Sequence, residues 1–185
     1  MPRIADASLS DRILDAAYEL VKKHGAESVT LRAVALRAKT TTPTVYARFA
    51  TKEELLLALA NRLRLQFAEE MMQQPTLQKA AECYLREAVN KPYDYKLIYE
   101  IGWPKIFLKE DDQPGVVWTR ERIAELHGGK PKDYTSVVDC LWMELHGAAS
   151  FISKSPNSAT AKRFYKNCLR AVETITAHAP LFIPK

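Results

Sequence analysis

From Lys39 to Arg48 the chain reads KTTTPTVYAR, and Lys52 follows shortly after. Thr40, Thr41, Thr42 and Thr44 supply hydroxyls, Tyr46 a phenol, and Lys39, Arg48 and Lys52 cations, with no carboxylate among them. Phosphate oxygens accept hydrogen bonds from all of these groups, so the stretch suits a nucleic-acid backbone. Thr30 and Arg32, just upstream, extend the set. Hydroxyls also reach base edges. The short segment around Thr44 to Tyr46 lacks an Arg, Asn or Gln for bidentate base readout, however. One threonine in such a place is readily explained as a helix cap; so many at one end are not.

A second group is aromatic. Tyr84, Tyr95, Tyr99, Trp103, Phe107, Trp118, Trp142, Met143 and His146 fall in helical patterns of the remaining chain. They suit either a packed core or a pocket for an apolar or amphipathic small molecule. His146 reads as a packed, hydrogen-bonded histidine, since no second histidine stands at helical spacing from it. Enzyme chemistry finds no support: a Gly-rich phosphate loop, HExxH, CxxC and G-x-S-x-G are all missing, and no cofactor motif is present. Glu144 and His146 stand two apart and do not share a helix face.

The elements that must position the first group are short helices. Thr30 has the hydroxyl of an N-cap, and Leu31, Val34 and Ala35 fall on one face after it. Thr42-Pro43 reads as a cap followed by proline at the first helical position. The helix from Pro43 to about Phe49 is too short to stand alone, and Phe49 belongs to its core side. Thr51-Lys52-Glu53-Glu54 is a capping-box pattern opening a helix to about Met72, with Leu55, Leu56, Leu59, Leu63 and Phe67 on one side. Two short helices joined by a tight turn, with an exposed second helix, describe a helix-turn-helix. Before them, Ser8-Leu9-Ser10-Asp11 reads as a capping box after a loose arm, Met1 to Ala7, and Gly25 closes that first helix.

These residues carry a resemblance. The segment from Ile13 to Ala58 resembles the DNA-binding domain of the TetR family of transcriptional regulators. Ile13-Leu14-Asp15-Ala16-Ala17, Lys23-His24-Gly25, Val29-Thr30-Leu31, Val34-Ala35, Thr44 to Phe49 and Lys52 to Leu56 match it in order and without gaps. Two departures fall at the turn. The family has Ala-Gly-Val-Ser where this chain has Ala38-Lys39-Thr40-Thr41, and glycine where Pro43 stands. Further on, Trp142 to Gly147 is similar to a Trp-x-x-x-His-Gly motif of one TetR subfamily. The run from Asn90 to Tyr99 is similar to an Asn-Pro-x-x-Tyr region of the same group.

Composition agrees with a DNA-binding head. The 185 residues are 47% apolar and 26% charged, with net charge +5. Nine basic and five acidic side chains precede residue 53, so +4 of that excess lies in the first 52 residues. A basic head on a neutral body suits a polyanion partner. Cys83, Cys140 and Cys168 are odd in number, far apart and set in apolar patterns, which predicts reduced, buried thiols. No signal region or 18-residue apolar run is present, so a cytoplasmic protein without a membrane segment is expected. Helical periodicity continues to the C-terminus: Thr76–Asn90, Tyr93–Trp103, Pro114–His127, Tyr134–Ser153 and Ala159–His178.

The expectation is an all-α chain of about nine helices. A helix-turn-helix head over residues 8–52 would precede a helical ligand-binding and dimerisation body over 53–185. The resemblance implies a homodimer joined through the last two helices and bound to a palindromic double-stranded DNA operator. A small molecule lodged against the helix that links head and body would release it. A dimeric helical adaptor that acts without ligand is the alternative; it would share the body but has no use for a basic helix-turn-helix.

Overall fold

The computed structural model describes residues 4–102 and 113–183, with side chains from residue 8 onward. Among the described residues every regular element is helical, and nine are α-helices. They are α1 (Ile4–His24), α2 (Leu31–Arg37), α3 (Thr42–Tyr46), α4 (Lys52–Met72), α5 (Leu77–Asn90), α6 (Pro92–Lys96), α7 (Pro114–His127), α8 (Thr135–Ile152) and α9 (Ala159–Ala177). Three-residue or four-residue 3-10 turns precede α2 and α8 and follow α9, and a π-helical turn, Leu97–Ile101, continues α6.

Local chemistry explains most boundaries. Thr30, Thr76 and Ser158 each accept a hydrogen bond from the backbone N–H three residues on, and so cap α2, α5 and α9. Pro114 opens α7, where a missing N–H costs nothing. Gly25, at φ 79° and ψ 164°, takes an extended positive-φ conformation open mainly to glycine, and there α1 ends. One start differs from the sequence reading. α1 begins at Ile4, so Ser8 and Ser10 lie inside the helix and the expected arm is largely helical. The Ser-x-x-Asp pattern resembles a cap, but neither Gly nor Pro stops the helix from extending back to Ile4.

Packing divides the chain into two compact units. The first holds the described residues up to Arg64 together with residues 93–102. Its core is Ile13, Ala17 and Val21 of α1, Val29, Val34 of α2, Val45 of α3, and Leu55 and Leu59 of α4, all fully buried or nearly so. The returning segment brings α6 onto the same unit. Tyr18 Oη donates to Asp94 Oδ2 at 2.8 Å, Lys96 pairs with Glu27 at 3.2 Å, and the Tyr93 ring lies beside Gly25.

The second unit holds Leu65–Pro92 and residues 113–183. Here α5, α8 and α9 pack on one another, and α7 packs against α8 and the turn before it. Leu85, Ile123, Val137 and Ile152 are among its fully buried side chains. Cys83 and Cys168 are buried as expected, while Cys140 is only half-buried; all three are free thiols. Burial pushes the Cys168 thiol up to about 12, with Glu144 adding to the shift, so it stays protonated.

Candidate nucleic-acid interface

α2 and α3 cross through a turn whose hydrogen bonds are specific. Thr40 N–H donates to Ala35 O at 3.0 Å, and Lys39 N–H donates to Leu36 O at 3.2 Å. That pair is the Schellman arrangement, with Lys39 at the position that glycine usually fills. Lys39 has φ 52°, and among the described residues it is the one non-glycine residue with positive φ. Left-handed backbone costs an L residue roughly 1 kcal/mol.

The cap of α3 is Thr41, not Thr42. Its Oγ1 accepts from Thr44 N–H at 3.3 Å and shares a 2.7 Å hydrogen bond with the Thr44 hydroxyl. Pro43 therefore stands at the second helical position, where its absent N–H is equally harmless. With five residues, α3 has one buried side chain, Val45, which plugs it into the head. Phe49 N–H donates to Val45 O at 2.9 Å and carries helical bonding past Tyr46. Glu54 N–H donates to Thr51 Oγ1 at 3.1 Å, which caps α4, while the Glu54 carboxylate accepts from Ala50 N–H at 2.7 Å. This is the expected capping box displaced by one residue on its return arm.

On this frame Thr30, Arg32, Lys39, Thr41 and Tyr46 are exposed, and Thr40, Thr42, Thr44, Arg48 and Lys52 are half-buried. Tyr46 is 54% exposed, unusual for a large ring on a helix whose only buried neighbour is a valine. Lys52 has a role that the sequence did not reveal: its ammonium donates to the Glu27 carbonyl at 2.7 Å and ties α4 to the turn before α2. An ammonium carries three donors, so two N–H groups remain beyond this bond.

The aromatic residues separate. Tyr84, Trp118, Trp142, Met143 and His146 belong to the second unit, and Tyr95 and Tyr99 to the first. Tyr95 and Tyr99 pack against each other at 4.7 Å and are both 7% exposed. Trp103 and Phe107 lie outside the described residues. In the second unit, the Trp142 and His146 rings stack at 4.9 Å and 7°, Tyr84 Oη lies 3.5 Å from His146 Nδ1, and Phe67 tilts onto Tyr84 at 5.4 Å. Phe67 joins this cluster although the sequence marked it only as a core position. Burial lowers the His146 pKa, which favours a neutral ring. Met143 is 60% exposed and Trp118 faces the Arg122 guanidinium at 5.7 Å, so neither is shown with the cluster.

A basic helix-turn-helix lies in one unit, and the second unit is all-helical among the described residues. Residues 13–59 match the family described as "Bacterial regulatory proteins, tetR family". Residues 13–59 are thus similar to that family's DNA-binding domain, and the chain shares the fold of solved TetR-family regulators. A TetR variant from Acinetobacter baumannii AYE, in complex with minocycline, superposes with TM-score 0.66 at 17% identity, over 94% of this chain and 97% of the other. A TetR-family regulator from Streptomyces coelicolor does so with TM-score 0.67 at 20% identity, over 92% and 99%. The multidrug binding protein EbrR complexed with ethidium gives TM-score 0.64 at 18% identity, over 96% and 99%. No curated protein matches the chain by sequence.

Proposed function

We propose that this chain is a homodimeric transcriptional repressor that leaves a palindromic operator when a small apolar or amphipathic molecule binds its second unit. The observation that carries the reading is α3 itself: a helix with one buried side chain, Val45, with Tyr46 and Thr41 exposed, Thr42 and Thr44 half-buried, and exposed Lys39 at its approach. Thr41 also caps α3, but Tyr46 is 54% exposed and has no such role in the head, whereas a duplex backbone uses a phenol and hydroxyls of this kind. Thr30, Arg32, Thr40, Thr41, Thr42, Thr44, Arg48 and Lys52 complete the contact set. Their roles are to position the head; base discrimination falls to Thr44, Tyr46 and the shape of the DNA.

The dimer reading rests on α8. Met143 and Phe151 are 60% and 63% exposed, Gly147 between them faces open space, and the three stand on one stripe at four-residue spacing. Phe164 of α9 meets Phe151 edge-on at 5.3 Å. Such a stripe suits close approach of the same two helices from a second copy. A two-fold dimer presents α3 to successive major grooves about 34–36 Å apart. The ligand reading rests on the Phe67, Tyr84, Trp142 and His146 cluster, and on the drug-bound state of two structures of this fold. A ligand that prefers the form with low DNA affinity weakens binding through a coupling of about 1–3 kcal/mol.

Selection of bound duplexes from a random pool tests the regulator reading. A two-fold symmetric consensus with half-site centres one helical turn apart is expected; an enriched site without symmetry, or no enrichment, contradicts it.

A further inference from the structure

The turn between α2 and α3 asks for glycine and holds lysine. Lys39 sits at φ 52° with the two hydrogen bonds of a Schellman turn around it, a backbone conformation that glycine enters without a Cβ clash. The side chain adds nothing visible to the head. It is exposed, and among the described residues no carboxylate engages its ammonium. Neighbouring cations are used differently: Arg37 turns back to Glu19 at 3.6 Å, and Lys52 is tied to the Glu27 carbonyl. A strained residue that the surrounding fold does not require points to a use outside the fold.

We infer that Lys39 is a sequence-independent contact to the DNA phosphate backbone, held by this chain at the expense of the stability of its head. The inference rests on the helix-turn-helix reading, which already counts Lys39 as a candidate contact, and adds that Lys39 trades folding for affinity. An ammonium makes a point-charge contact without base preference, so Lys39 strengthens binding to every duplex alike and leaves discrimination to α3.

Three variants of the full chain separate charge from strain: Lys39→Gly, Lys39→Gln and Lys39→Arg. Each is melted, and each is titrated with an arbitrary-sequence DNA duplex over a salt series. Lys39→Gly is expected to melt higher by about 2–4 °C and to lose affinity. The loss is about eightfold at 0.1 M salt for each Lys39 engaged, with the log–log salt slope shallower by about 0.9. Lys39→Gln should lose the same slope without the gain in melting temperature, and Lys39→Arg should keep the slope and the strain. Lys39→Gly and Lys39→Gln binding with the parental slope would overturn the inference while leaving the head reading intact. A parental chain without salt-dependent binding to any duplex would remove both.

Discussion

The Tyr18 hydroxyl donates to the Asp94 carboxylate at 2.8 Å across 76 residues of sequence. Asp94 is 8% exposed and lies in the first turn of α6, while Tyr18 lies within α1. The bond fixes a segment from the middle of the chain onto the N-terminal head. Tyr18→Phe withdraws a donor from a buried carboxylate and is expected to destabilise the first unit by about 1–2 kcal/mol. With Asp94→Asn it completes a double-mutant cycle, read by urea denaturation. A coupling of about 0.5–3 kcal/mol is expected; simple additivity would show that the two side chains do not act together.

Val45 is the one buried side chain of α3, and a helix of five residues has little stability of its own. Val45→Ala should cost the head about 1–3 kcal/mol. DNA affinity should fall further than stability alone requires, because α3 loses its anchor. Hydrogen exchange resolves this: amides of α3 should exchange faster in the variant while those of α8 and α9 keep their protection.

How far these relationships were legible in the sequence depends on their range. Caps are local: Thr30 was read as the cap of α2, and the helices expected from Thr76, Pro114 and Ala159 begin within a residue of those positions. The cap of α3 was misplaced from Thr41 to Thr42 because proline is tolerated at either of the first two positions, so Pro43 alone does not set the frame. The left-handed turn at Lys39 left no signature of its own, since lysine does not advertise positive φ. Only the glycine that the family has there pointed to it. Long-range groupings were hidden altogether. Periodicity marked Tyr95 and Tyr99 as apolar helix positions but did not place them in the first unit, apart from Tyr84 and His146. Nor did it show that Lys52 reaches the carbonyl of Glu27.

Lys52 ties α4 to the Glu27 carbonyl and is also proposed as a phosphate contact, and one variant can separate the two. Lys52→Ala removes the bond to the Glu27 carbonyl, which should lower head stability by about 0.5–1.5 kcal/mol. It should also make the DNA salt slope shallower by about 0.9 if the remaining donors reach a phosphate. A loss of stability with an unchanged slope would assign Lys52 to the scaffold and take it out of the contact set.

His146 gives the second unit a pH dependence. Its folded-state pKa is lowered by burial, so between that value and the ordinary histidine value the unfolded chain binds more protons. Stability is therefore full above about 6.5 and is lost as pH falls through the lowered value. Melting at pH 7.5 against pH 5.5 should show this decline, and His146→Gln should reduce it. An equal decline in the variant would assign the effect to other groups.

The most direct measurement is footprinting of the purified protein on DNA from its own promoter region over a salt series. The account predicts a protected palindrome whose apparent affinity falls steeply with salt, as release of counterions from several phosphate contacts requires. Absence of protection even at low salt would contradict the claim that α2 and α3 form a DNA-binding head.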